Sequence, residues 1–98
     1  MDIKRVNLSA LASVSKMEEV VKEAYKYGLQ RGHDLAGSSG QSLYKGVERD
    51  YLSKKFGMAG DLENIAEELG RVPKRVLSRL REGFDSGYRT TARVKEDE

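Results

Sequence analysis

An all-α domain of about four helices is the fold class this sequence predicts. Apolar residues recur at i, i+3, i+4 spacing in four separate segments. Glycine, proline and Ser/Asp cap residues fall between those segments, where helices start and stop. The 98 residues suffice for one small domain. Apolar residues are 38% and charged residues 35%, so the core is expected to be modest or completed by a partner.

The first twelve residues are ambiguous, and "DIKRVNL" reads as a short strand or a flexible arm. Ser15 and Glu18 have capping-box spacing. Met17, Val20, Val21, Ala24 and Tyr27 then form one stripe, and Gly32 is placed to stop the helix, giving 16–31. The stretch 32–42, "GHDLAGSSGQS", reads as a loop with His33 exposed in it. A second helix is expected over 43–56. Its stripe is Tyr44, Val47, Tyr51, Leu52 and Phe56, with Glu48, Arg49, Lys54 and Lys55 outside. "GMAG" breaks it. Asp61 caps a third helix through Leu69, with Leu62, Ile65, Ala66 and Leu69 inward. Gly70 supplies a tight turn, and Pro73 opens a fourth helix over 73–82. Val76, Leu77 and Leu80 face inward there, Gly83 ends it, and "DSGYRTTARVKEDE" is expected to be a polar tail.

Composition excludes several kinds of chemistry. There is no cysteine, so disulfides and thiolate metal sites are ruled out, and a single histidine rules out multi-histidine sites. No nucleophile or second acid accompanies His33. "GSSGQS" lacks the lysine and strand–helix context of a phosphate loop. No enzyme motif, cofactor motif, metal site or small-molecule site is evident. No apolar run approaches the roughly 20 residues of a membrane span, and the N-terminus lacks the apolar region of a signal peptide. A cytoplasmic location is expected, nucleoid-associated in a prokaryote or phage.

Charge is distributed unevenly. Residues 1–70 carry ten Lys/Arg and eleven Asp/Glu, whereas residues 71–95 carry eight against two. A basic block on one element suits a polyanionic partner. Projected at 100° per residue, helix 73–82 places Val76, Leu77 and Leu80 on one side. Lys74, Arg75, Ser78, Arg79, Arg81 and Glu82 spread over the other. Arginine can read guanine bidentately, and lysine or serine can hold phosphate. "LGRV" before this helix has the length and glycine of a helix-turn-helix connection. The candidate DNA-binding residues are therefore Arg71, Lys74, Arg75, Ser78, Arg79 and Arg81, with Arg89 in the tail following the backbone or a minor groove. Glu82 is expected to pair locally with Arg79 or Lys74.

Tyr44, Leu62 and Leu80 lie 18 residues apart, one per helix. With "YKGVERDYL" at 44–52, "LENIAEELGR" at 62–71 and "RVPKRVLSRL" at 71–80, residues 42–84 resemble the Myb/SANT-like three-helix module. Three bulky residues, usually tryptophans, recur there at about that spacing. Tyr44 stands in the place of the first tryptophan, Glu48 of an acidic residue and Leu52 of a core leucine. Ile65, Ala66, Leu69, Gly70 and Arg71 match the second helix, and Arg71 and Arg79 the third. The resemblance implies a helix-turn-helix core and double-stranded DNA as partner, read by the third helix. SANT-type relatives instead bind proteins, often with an acidic third-helix face, and here that face is basic.

The chain thus divides into an arm and amphipathic helix (1–31), a Gly/Ser loop (32–42), a helix-turn-helix module (43–84) and a tail (85–98). The stripe on helix 16–31 either packs on the same core or joins a second chain as a homodimer. The expected function is a small double-stranded DNA-binding transcriptional regulator. The competing readings are a protein-interaction adaptor that uses the basic face, or a packaging or assembly protein.

Overall fold

The computed structural model describes residues 2–36, 43–58 and 70–96, with side chains as far as 89. An extended arm leads into a 3-10 helix, Leu8–Ala12, and three α-helices follow among the described residues. They are α1 (Val14–Leu35), α2 (Leu43–Phe56) and α3 (Lys74–Glu96). No strand occurs among the described residues, so the fold is all-helical. The helix expected over 61–69, with Asp61, Leu62, Ile65, Ala66 and Leu69, lies outside them.

Three helix ends differ from expectation. The cap of α1 is Ser13, not Ser15: its backbone is extended and its Oγ accepts from the Lys16 amide at 3.4 Å. Gly32 does not stop α1, which runs on to Leu35 and carries His33, still exposed, in its last turn. Gly83 does not stop α3 either. The segment expected to be a tail continues the helix to Glu96. By contrast α2 spans 43–56 as predicted, its five stripe residues are buried, and Gly57 with φ 69° closes it. Lys55, expected outside, is buried.

The reason the helices run through their glycines is the packing of α1 on α3. Gly28 lies against Leu80 and Phe84, and Gly32 lies four residues on against Phe84 and Tyr88. Reciprocally, Gly83 lies against Tyr25 and Leu29, and Gly87 against Leu29 and His33. Both partners advance in the same direction, so the two helices are parallel, joined through two Gly-x-x-x-Gly repeats. A Cβ on any of the four would overlap a backbone carbonyl of the other helix. At Gly28 it would also stand 2.8 Å from the Phe84 amide nitrogen. Spacing of small residues every four positions lets helix backbones approach this closely, and such approaches gain Cα–H···O contacts.

Around this seam the core gathers Val20, Val21, Ala24 and Tyr27 of α1 with Val76, Leu80 and Phe84 of α3. Val47, Tyr51, Leu52 and Phe56 of α2 close it, and Leu11 docks the arm. Of the two roles considered for the α1 stripe, packing on the chain's own core is the one it fills. Val20, Val21, Ala24 and Tyr27 are all buried within the single chain.

α1 meets α2 through polar groups as well. The Tyr27 hydroxyl donates to Asp50 Oδ2. The Tyr51 hydroxyl donates to Glu23 Oε1 at 2.9 Å, and Lys55 Nζ reaches the same oxygen at 2.8 Å. The Tyr27 and Tyr51 rings pack at 5.1 Å between centroids. The Tyr27 hydrogen bond, helped by Lys54 at 3.3 Å, holds the Asp50 carboxyl below its ordinary value. Burial, then neighbouring carboxylates, push the Tyr27, Tyr44 and Tyr51 phenols well above their ordinary range.

These shifts set a pH window for stability. Asp50 is depressed in the fold, so its contribution is present above its unfolded value, about 3.9, and is lost as pH falls through the folded value. The tyrosines are raised, so theirs is present below about 10 and is lost as pH rises beyond it. Urea midpoints should therefore fall below about pH 4 and above about pH 10. The deficit of Asp50→Asn at neutral pH should shrink in acid, and a constant deficit down to pH 3 would exclude the Tyr27–Asp50 bond as its cause.

Candidate nucleic-acid interface

Residue period divides α3 into two faces. Val76, Leu80, Gly83, Phe84 and Gly87 are buried, with Leu77 and Tyr88 partly so. Lys74, Arg75, Ser78, Arg79, Arg81, Glu82 and Arg89 are exposed. Arg71 is exposed in the turn before the helix. All seven predicted contact residues are therefore at the surface, six on α3. Arg89, expected in a tail, instead stands on the outer face of the same helix. Over its whole length α3 carries seven Lys/Arg against three Asp/Glu, a net of +4.

Pro73 directly precedes the helix, its carbonyl accepting from the Val76 and Leu77 amides at 3.0 and 3.4 Å. No acidic residue stands in the first turn of α3. The positive end of its dipole there is joined by Arg71, Lys74 and Arg75.

Several of the cations have partners that sequence spacing did not single out. Arg75 Nη2 pairs with Glu18 Oε1 of α1 at 2.9 Å. Arg79 Nη1 pairs with Glu82 Oε2 at 2.7 Å, the local pair predicted for Glu82, and its guanidinium lies 5.4 Å from the Tyr25 ring. Arg81 Nε lies 3.6 Å from Asp85 Oδ2 and its guanidinium 4.6 Å from the Tyr44 ring. Glu82 favours the charged form of Arg79 further. Arg71, Lys74 and Arg89 make no ion pair among the described residues.

Arg79 and Arg81 are two residues apart and so point to opposite flanks of α3. Tyr25 of α1 braces the first and Tyr44 of α2 the second. Between them Ser78 stands on the crest, lining a groove on either side. The α1 side holds about 230 Å³, lined by Val21, Lys74, Arg75, Ser78 and Arg79. The α2 side holds about 420 Å³, with Tyr44, Lys45, Glu48 and Arg81 in its lining. A cationic crest braced on both flanks can bind an anion-rich surface through charge and planar hydrogen bonding.

In the sequence Tyr25 is legible only as a position off the α1 stripe, and Glu18 only as a cap partner. Neither role on this face follows from spacing within one helix. Among the described residues no cluster of His, Asp and Glu could hold a metal ion, and no helix is long and apolar enough to cross a membrane. Comparison of the chain with protein-family models, curated proteins and solved structures finds no match.

Proposed function

We propose that this chain is a small double-stranded DNA-binding protein of the regulator class, acting by binding and not by catalysis. The first turns of α3 lie in the major groove. The observation that carries this reading is the outward face of α3, where Lys74, Arg75, Ser78, Arg79, Arg81 and Arg89 are exposed opposite a buried apolar face. Phosphate neutralisation by Lys and Arg supplies most of the affinity of such a protein. Arginines on the crest can supply base contacts. The ion pairs on this face are no obstacle. Their side chains are about half exposed, and pairs of that kind contribute little, less than a charge-assisted hydrogen bond to phosphate. The resemblance of residues 42–84 to the Myb/SANT-like module supports the same reading.

Fluorescence anisotropy with a random-sequence duplex at two salt concentrations tests it. Wild type should bind, with log K falling steeply against log salt. Arg75→Ala/Arg79→Ala should flatten that slope by about 2, one unit for each phosphate that is no longer neutralised. Its circular dichroism should be unchanged. Absence of wild-type binding at low salt would sink the DNA reading and turn the basic face into a surface for an acidic protein partner.

A further inference from the structure

We propose that the groove between α1 and α3 seats one phosphate of the duplex backbone, and that Glu18 occupies Arg75 in its place when no duplex is bound. The inference rests on the DNA reading above and adds to it a defined subsite and an internal competitor.

The groove sets cationic and hydroxyl groups over a largely apolar lining. Among its described residues, Lys74, Arg75 and Arg79 bring cationic donors, Ser78 brings a hydroxyl and Val21 lies in the apolar floor. No carboxylate stands among its described lining residues, and Glu18 and Glu82 approach it through Arg75 and Arg79. Such a set has donors for the anionic oxygens of a phosphodiester. Arg79 is oriented towards the groove beside Glu82 and the Tyr25 ring.

Glu18 differs from Glu82 and Asp85. Glu82 and Asp85 pair with residues three and four positions away on α3 itself, so these pairs travel with the helix whatever binds. Glu18 sits on α1 and reaches across the seam to Arg75 Nη2 at 2.9 Å. Its carboxylate presents to Arg75 the same charge and acceptor geometry as a phosphate oxygen pair. Both side chains are substantially exposed, 46% for Glu18 and 62% for Arg75, so the bond opens readily. A phosphate arriving in the groove takes the guanidinium, and the carboxylate turns to water.

A double-mutant cycle read by duplex anisotropy decides the matter. Glu18→Gln should bind roughly two- to fivefold tighter, the weight of one exposed ion pair. Arg75→Ala should bind more weakly with a salt slope flatter by about 0.9. On the Arg75→Ala background the gain from Glu18→Gln should vanish. Glu19→Gln makes the same change in net charge, but Glu19 pairs with Lys16 at 3.4 Å and not with α3, so its gain should be smaller. A Glu18→Gln gain that persists without Arg75, or is matched by Glu19→Gln, would make Glu18 a distant charge and overturn the phosphate seat while leaving DNA binding intact. Failure of the wild type to bind duplex would overturn both. Titration with inorganic phosphate, followed by the Ser78 amide resonance, separates the sources of phosphate. Shifts no larger than those from chloride at equal ionic strength are expected. Saturable shifts specific to phosphate would assign the groove to a small phosphorylated ligand and overturn its assignment to the duplex backbone.

Discussion

Gly28→Ala and Gly83→Ala are each expected to destabilise the protein by about 3 kcal/mol, and the pair together to unfold it. The added methyl would overlap the Leu80 carbonyl in the first case and the Tyr25 carbonyl in the second. Backbone in a helix cannot swing aside as a side chain can, so α1 and α3 must separate along their length. Alanine recovers about 1 kcal/mol through its better helix propensity, which is smaller than the loss. A domain of this size is held by about 5–15 kcal/mol in all, so two such losses exceed what a domain at the lower end of that range can absorb. Gly46 provides the internal control. It lies inside α2, where an added methyl would meet nothing within 4 Å, so Gly46→Ala should stabilise by about 0.5–1 kcal/mol. Urea denaturation of the three variants gives both signs in one experiment. Equal and small effects at all three glycines would mean that the close parallel seam does not form in solution.

The second large effect is expected at Glu23. Its Oε1 accepts from both Lys55 Nζ and the Tyr51 hydroxyl, and the Lys55 side chain is only 8% exposed. Glu23→Ala leaves an ammonium buried without a counter-charge and a phenol without an acceptor. Breaking a buried pair from one side costs about 3–5 kcal/mol. Removing both charges should cost far less, because an apolar pair of similar volume carries no desolvation penalty. Glu23→Leu/Lys55→Met should therefore recover the part of the loss due to the buried ammonium, leaving the cost of the unpaired Tyr51 hydroxyl, about 1–3 kcal/mol. Chemical denaturation at pH 7 measures all of these. A loss below about 1 kcal/mol for Glu23→Ala, the range of an exposed pair, would show that water reaches Lys55 and that the pair is a surface contact.

Much of this arrangement was legible in the residue order. The period of Tyr44, Val47, Tyr51, Leu52 and Phe56 places α2 and its buried face. The same rule turns Val76 and Leu80 inward on α3 and leaves Lys74, Arg75, Ser78 and Arg79 outward. Glu82 is paired with Arg79, as i, i+3 spacing suggests. Legibility failed wherever the deciding partner lay far away in the chain. Ser13 and Ser15 are both good caps, and which one ends the helix depends on where the arm leaves the core. Lys55 reads as a surface cation by its neighbours, yet Glu23, thirty-two residues earlier, draws it inside.

The glycines show the same division most clearly. Residue order alone determines that the chain is helical, that one face of each helix is apolar and that the cationic face of α3 points outward, because these follow from a period of 3.6 residues. Only the tertiary structure decides what Gly28, Gly32, Gly83 and Gly87 are for. A missing Cβ serves a left-handed turn at a helix end and a close backbone crossing equally well. Gly32 and Gly83 read as helix stops by themselves. They become the seam of a parallel pair because each meets a backbone carbonyl from a helix some fifty residues away. The four-residue spacing within each pair was present in the sequence, but its meaning depends on the matching pair in the other helix.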